Sequence, residues 1–134
     1  MRGATNNENV VTVHNSPVAC LSGVPVYFSD HFAGVPQAHC AVGEAVAIVT
    51  AEIEIELTVV GAVNFGDPIR VAANGAVGVG AAAAGYAPLG VSKETDAGAA
   101  YVVTAADVAA NRFPGHAAGD NIVVSTPVVI IQSI

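Results

Sequence analysis

Apolar residues in this chain come in short runs, and nearly every run is bounded by glycine, proline, asparagine or aspartate. That is the pattern of strands joined by tight turns. The run "VVTVHN" (Val10–Asn15) predicts a first strand, closed by Ser16-Pro17. "SGVPVYFS" (Ser22–Ser29) predicts a second; its Pro25 suits an edge or a strand start, because proline cannot donate to a ladder. "HFAGVPQAHC" (His31–Cys40) predicts a short strand with a turn. The strongest β signal is "GEAVAIVTAEIEIELTVV" (Gly43–Val60). It is too long for one flat strand, so a bend near Thr50 or a hairpin-like break is expected. Within it Glu52, Glu54 and Glu56 alternate with Ile53, Ile55 and Leu57. On one strand that spacing sets three carboxylates in a row on one face, about 6.5–7 Å apart, and sends the aliphatic residues into a core.

"NFGDPIRVAANGAVGVG" (Asn64–Gly80) predicts a hairpin. Its Asn74-Gly75 tip tolerates positive φ at both central positions, as a type I′ turn requires. "GYAPLGVSKE" (Gly85–Glu94) and "GAAYVVTA" (Gly98–Ala105) predict two more strands, and "GDNIVVSTPVVIIQSI" (Gly119–Ile134) predicts one or two around Pro127. The single helix candidate is "TAADVAANRF", over about 104–112, with Thr104 as N-cap, Asp107 at N3 and Pro114-Gly115 as its stop. A phrase of glycine, acid, any residue, aliphatic recurs at Gly43-Glu44, Gly66-Asp67 and Gly119-Asp120, each time before a strand. Glycine supplies the turn and the acid accepts local backbone N–H groups. Gly43, Gly66, Asp67, Asn74 and Gly75 are therefore expected as structural turn residues. The uneven spacing of the phrase argues against a solenoid. Eight to ten short strands and at most one helix predict an all-β fold, a compact antiparallel β-sandwich or β-barrel. Residues 1–9 predict a flexible N-terminal arm, and 10–134 a single domain.

Composition sharpens this picture. Hydrophobic residues make up 53% of the chain, yet it holds only four Phe, three Tyr and no Trp. With few large anchors, backbone pairing and close β packing must supply much of the order. The net charge is −7, and the four basic residues, Arg2, Arg70, Lys93 and Arg112, are dispersed. Direct nucleic-acid binding and attachment to an anionic membrane both need clustered Lys and Arg, so neither is expected. A basic or mixed-charge protein partner remains open. "MRGATNNENVV" has no apolar core, so no secretory leader is expected. Val71–Ser92 carries no charge, but Asn74-Gly75, several glycines and Pro88 break it, so it predicts β structure rather than a membrane span. Cys20 and Cys40 form no CxxC motif. Two free buried thiols are the favoured expectation; a disulfide requires a fold that brings their Cα atoms within about 7 Å.

Catalytic chemistry finds little footing. His14, His31, His39 and His116 form no HExxH or HxH pattern. There is no Gly-x-Ser-x-Gly elbow, and His39 and Cys40, as strand neighbours, would face opposite sides. "GVGAAAAGYAPLG" (Gly78–Gly90) lacks the Lys-Ser/Thr and the helix of a phosphate loop. A flat row of glutamates cannot converge on one ion, whose ligands must lie within about 2.0–2.6 Å. No catalytic, cofactor-binding or metal-binding residue is expected, and the glutamate row is first a wet face that resists edge pairing.

The order of pieces is more specific than any one of them. "SGVPVYFSDHFAGVPQAHCAVGEAVAIVTAEIEIEL", then "GDPIRVAANGAVGVG", then "PLGVSKETDAGAAYVV" resembles the small head-decoration, or cement, proteins of tailed bacteriophages. The likeness spans Val10 to Val103. After it, "TAADVAANRFPGHAAGDNIVV" departs from the pattern and reads as an insertion before the closing strand. The resemblance implies a non-enzymatic protein of the outer head surface, made in the host cytoplasm. It implies a homo-oligomer, trimer favoured over dimer, whose partner is the major capsid protein. The candidate capsid or oligomer contacts are Thr5, Asn6, Asn7, Glu8 and Asn9 on the arm and Glu52, Glu54 and Glu56 on the acidic row. A tail, fibre or surface-adhesion β module that binds a host ligand is the alternative, and a small metal-dependent enzyme is a remoter one.

Overall fold

A computed structural model describes residues Asn9–Gln132. They form twelve strands and one short helix: β1 (Val10–Val13), β2 (Val26–Ser29), β3 (Phe32–Pro36), β4 (Val46–Val49), β5 (Ile53–Glu56), β6 (Val59–Val60), β7 (Pro68–Ala72), β8 (Val77–Val79), β9 (Tyr86–Ser92), β10 (Ala99–Val102), α1 (Ala105–Ala109), β11 (Asn121–Ser125) and β12 (Val128–Ile131). The fold is all-β, with two sheets curled into a half-barrel. The smaller sheet has the order β1-β4-β3-β2 and the larger β10-β11-β6-β8-β7-β9-β12-β5. Pairing is antiparallel except for one parallel contact between Val60 and Gly78.

Alternation along the smaller sheet feeds two interiors. Ala33 and Val35 of β3 face the larger sheet and meet Leu57, Val59, Ile69, Val71, Leu89, Val129 and Ile131. Val26, Phe28, Phe32, Val46 and Ile48 face the other way and pack with Val13, Val18, Cys20 and Cys40 into a second, smaller core. Gly90 lets the main layer close: a Cβ there would run into the carbonyl oxygen of Ile130 on the neighbouring strand.

The glycine–acid phrase forms the same turn three times. The backbone N–H groups of Glu44, Asp67 and Asp120 donate to the carbonyls of Ala41, Asn64 and Ala117. In return each carboxylate accepts the N–H of that same residue, at 2.7, 2.8 and 2.9 Å. Gly43, Gly66 and Gly119 take the positive φ that the turn demands. Two Cys-x-x-Gly-x-x-Val segments, starting at Cys20 and Cys40, also fold alike: a turn at Gly23 or Gly43, then a strand starting at Val26 or Val46. The two cysteines pair across an isolated antiparallel bridge.

Three expectations are corrected. The long central run bends where predicted, but into three strands, β4, β5 and β6; Glu52 occupies the bend at φ 61, so it is not a strand residue. The tip of the β7–β8 hairpin is not a type I′ turn. Only Gly75 has positive φ, at 91, and its N–H bonds the carbonyl of Ala72 while the N–H of Ala72 bonds that of Ala76. This is the three-residue loop with a glycine bulge. Asn74 instead accepts the N–H of Ala76 on its side chain. Finally, α1 has the predicted capping box, but it ends at Ala109, short of 112. Asn111 takes φ 52, and the N–H groups of Asn111 and Arg112 bond the carbonyls of Val108 and Asp107. That is a Schellman ending, so the helix stops before Pro114-Gly115.

Candidate functional site

The arm contacts Thr5, Asn6, Asn7 and Glu8 lie outside the described residues. Asn9 is described, and its carbonyl accepts the N–H of Thr50 at 2.8 Å. Its side-chain amide donates to Glu52 at 3.0 Å. The base of the arm is thus tied to the bend between β4 and β5. Glu54 lies on the edge strand β5 and pairs with Lys93, whose Nζ is 2.5 and 2.8 Å from its two oxygens. Glu56 is exposed at the rim of a cleft. The three glutamates therefore do not form one row: one holds Asn9, one holds a lysine, and one borders a groove.

Most other carboxylates are taken up by the fold. Asp30, Glu44, Asp67, Glu94, Asp96, Asp107 and Asp120 each accept at least one backbone N–H. Asp107 is the most engaged. The Tyr101 hydroxyl, the Thr104 N–H and Arg112 all donate to it, and these bonds, Tyr101's first, hold its carboxyl down at about 2. The same bond pushes the Tyr101 hydroxyl up. Asp30 is lowered by Tyr27 and the Gly85 N–H, and Asp96 by the N–H groups of Gly98 and Thr126. The acidity of this chain is in large part turn wiring.

The segment that reads as an insertion closes on itself. The N–H of Gly119 bonds the carbonyl of Val103, and the N–H of Val103 bonds the carbonyl of Asp120, so 104–118 is an excursion from the β10–β11 hairpin. Phe113, 5% exposed, and Tyr101 pin it, with ring centroids 5.4 Å apart. Its far side forms one wall of a cleft of about 640 Å³; the turn at Leu21–Pro25 and the surface of β6, β7 and β8 form the others. This volume is in the range of small-ligand sites. Arg70 and Arg112 both line it. Arg70 lies 3.8 Å above the Tyr86 ring, and Arg112 is held by Asp107 at 3.2 Å. Beyond the departure after Val103, no local pattern announces this cleft, because its walls come from segments distant along the chain.

The two edges of the larger sheet differ in chemistry. β5 carries Glu54 and Glu56. β10 and its partner β11 carry no charge, and Val102 and Val123 are 54% and 41% exposed. Bare apolar edges are where strands from another chain add.

His39 accepts the Ser22 N–H at 3.0 Å, while the neighbouring Cys40 is buried. Among the described residues no three His, Cys, Asp or Glu side chains stand close enough to hold a metal ion. No helix among them is long and apolar enough to cross a membrane. Comparison of the chain with protein-family models, with curated proteins and with solved structures finds no match.

Proposed function

We propose that this protein is a capsid decoration protein, which binds the outer surface of a bacteriophage head and braces the shell of major capsid protein. The observation that carries this reading is the ordered set of turns and strands from Val10 to Val103, in the sequence order of the phage cement proteins. Two structural features support it. Carboxylates are spent on turns rather than gathered around a reaction centre. The β10–β11 ribbon offers an uncharged edge for self-association on a chain whose net charge of −7 opposes contact elsewhere. In this reading the protein is not an enzyme, and it acts as a homo-oligomer, trimer favoured over dimer, without nucleic acid or membrane. Many copies per shell add avidity to modest single contacts. The arm and the Glu52 bend, joined through Asn9, form the docking end.

The test is co-sedimentation of purified protein with undecorated expanded capsids. The full chain binds, and a chain lacking residues 1–8, which leaves β1 whole, binds at least tenfold more weakly. Full-strength binding of the truncated chain removes the arm from the reading, and failure of the full chain to bind any shell removes the reading itself. The cleft of about 640 Å³ favours one second reading, a tail, fibre or adhesion module with a host ligand. Binding to cells or glycans but not to heads selects it.

A further inference from the structure

Cys20 and Cys40 are the two cysteines of the chain, and the fold sets them opposite one another. Each donates its backbone N–H to the other's carbonyl, at 2.9 and 3.0 Å. In a hydrogen-bonded antiparallel pair the Cα atoms stand about 5.5 Å apart and both side chains leave the same face. Disulfides join Cα atoms about 4.4–6.8 Å apart. The geometric condition left open by the sequence is therefore met. The sulfurs also gather at one point: Sγ of Cys20 lies 3.8 Å and Sγ of Cys40 3.9 Å from the carbonyl oxygen of Val18. Both thiols belong to the smaller core, under turns rather than under a second sheet.

Hydrogen-bonded pairs are the wider kind, with Cβ atoms near about 5.5 Å, whereas a disulfide wants about 3.8 Å. The bridge must tighten for the bond to form. It can, because it is isolated: no ladder continues on either side, and Leu21 and Ala41 beside it are exposed. A bond made by such tightening is more easily reduced than a relaxed one.

We propose that Cys20 and Cys40 close an intramolecular disulfide, reversibly and within the folded protein, by exchange with a low-molecular-weight disulfide such as oxidised glutathione. Cys40 is the more exposed of the two, at 8% against 3%. It loses its proton, and its thiolate attacks one sulfur of the small disulfide and expels a first small thiolate. Cys20 then loses its proton, attacks Sγ of Cys40 and expels the second. The two thiolates take up the two protons; the protein gives two electrons and the small disulfide becomes two thiols. Burial and the hydrogen bond to Cys40 push the Cys20 thiol up, which lowers its thiolate fraction; the second step draws instead on its target being already beside it. The bond ties the Cys20 and Cys40 turns together and closes the smaller core with a covalent link. This inference does not depend on the capsid reading.

The experiment treats the native full chain with oxidised glutathione and follows intact mass and cross-linked peptides. The expected result is loss of two hydrogens, a peptide joining Cys20 to Cys40, and reversal by dithiothreitol. Cys20→Ala halts at a glutathione adduct on Cys40. Thiols that stay free in the native chain, while the same reagent oxidises the chain in urea, overturn the proposal. So do adducts in the native protein that never resolve, or disulfides that join two chains.

Discussion

Ile48 and Ile69 are both fully buried isoleucines, at 0% and 1% exposure, in two different kinds of interior. Ile69 lies at the centre of the larger sheet, between β8 and β9, with β3 of the smaller sheet across from it. Strands bound it on every side, and their hydrogen bonds fix the walls. Ile48 faces outward from the smaller sheet, toward Cys20, Cys40 and the turns that follow them. Those turns carry Leu21, Val24 and Val42 at 61%, 51% and 66% exposure. A cavity between two sheets cannot collapse without breaking ladders, whereas one under turns can. The main core should therefore carry the stability of the fold, and the smaller core should be the part that yields, docks or is modified.

The same substitution in both places tests this most directly. Ile69→Ala should cost about 4 kcal/mol and Ile48→Ala about 2 kcal/mol, within the span that buried large-to-small changes cover according to how far the site relaxes. Chemical denaturation measures both. Equal costs would mean that the turns are as rigid as the sheets, and the contrast would be lost.

How much of this was legible follows from where the information lies. Local alternation and turn chemistry announced β1, β7, β9 and β11, the three glycine–acid turns and the Thr104–Asp107 capping box, because each is settled within a few residues. Strand order is not local. Nothing in "VVII" says that β12 inserts between β9 and β5, and nothing in "VV" at 59–60 says that β6 lies beside β8. Glu52 was misplaced because alternation alone cannot show that the strand has not yet begun; its φ of 61 breaks the face that Glu54 and Glu56 share. The paired cysteines were visible as two Cys-x-x-Gly-x-x-Val segments, a repeat that counting cysteines alone passes over. The cleft was beyond reach, since Arg70 and Arg112 meet the same space from distant parts of the chain.

The excursion at 104–118 lies outside both cores and is held by the Phe113–Tyr101 contact together with one buried carboxylate, so the loss of that carboxylate's charge should have a smaller effect, visible in pH. Asp107 has a folded value of about 2, below its ordinary 3.8. The stabilisation it gives is present above about pH 4 and is lost as pH falls through its folded value. Melting temperature should drop between pH 4 and pH 2, and Asp107→Asn should drop less over that window, since Asp30 and Asp96, also lowered, remain. Parallel profiles would show that Tyr101, Thr104 and Arg112 place the carboxylate without stabilising the fold.

The smallest effect belongs to the surface of β5. Lys93 and Glu54 make a short two-pronged pair, but their side chains are 42% and 47% exposed. Water screens such pairs, and exposed ones contribute about 0–1 kcal/mol. Lys93→Ala should therefore shift stability by less than about 0.5 kcal/mol in denaturation, and Glu54→Gln by the same or less. The two changes made together should add, because little coupling is left to lose. The pair matters differently if β5 is an interface. An intersubunit or capsid contact would exclude water from the same atoms, and the substitutions would then weaken assembly while leaving the isolated chain's stability unmoved. A loss above about 2 kcal/mol in the isolated chain would instead make this edge part of the main core's support, and the division between a stabilising interior and an unburdened surface would have to be redrawn.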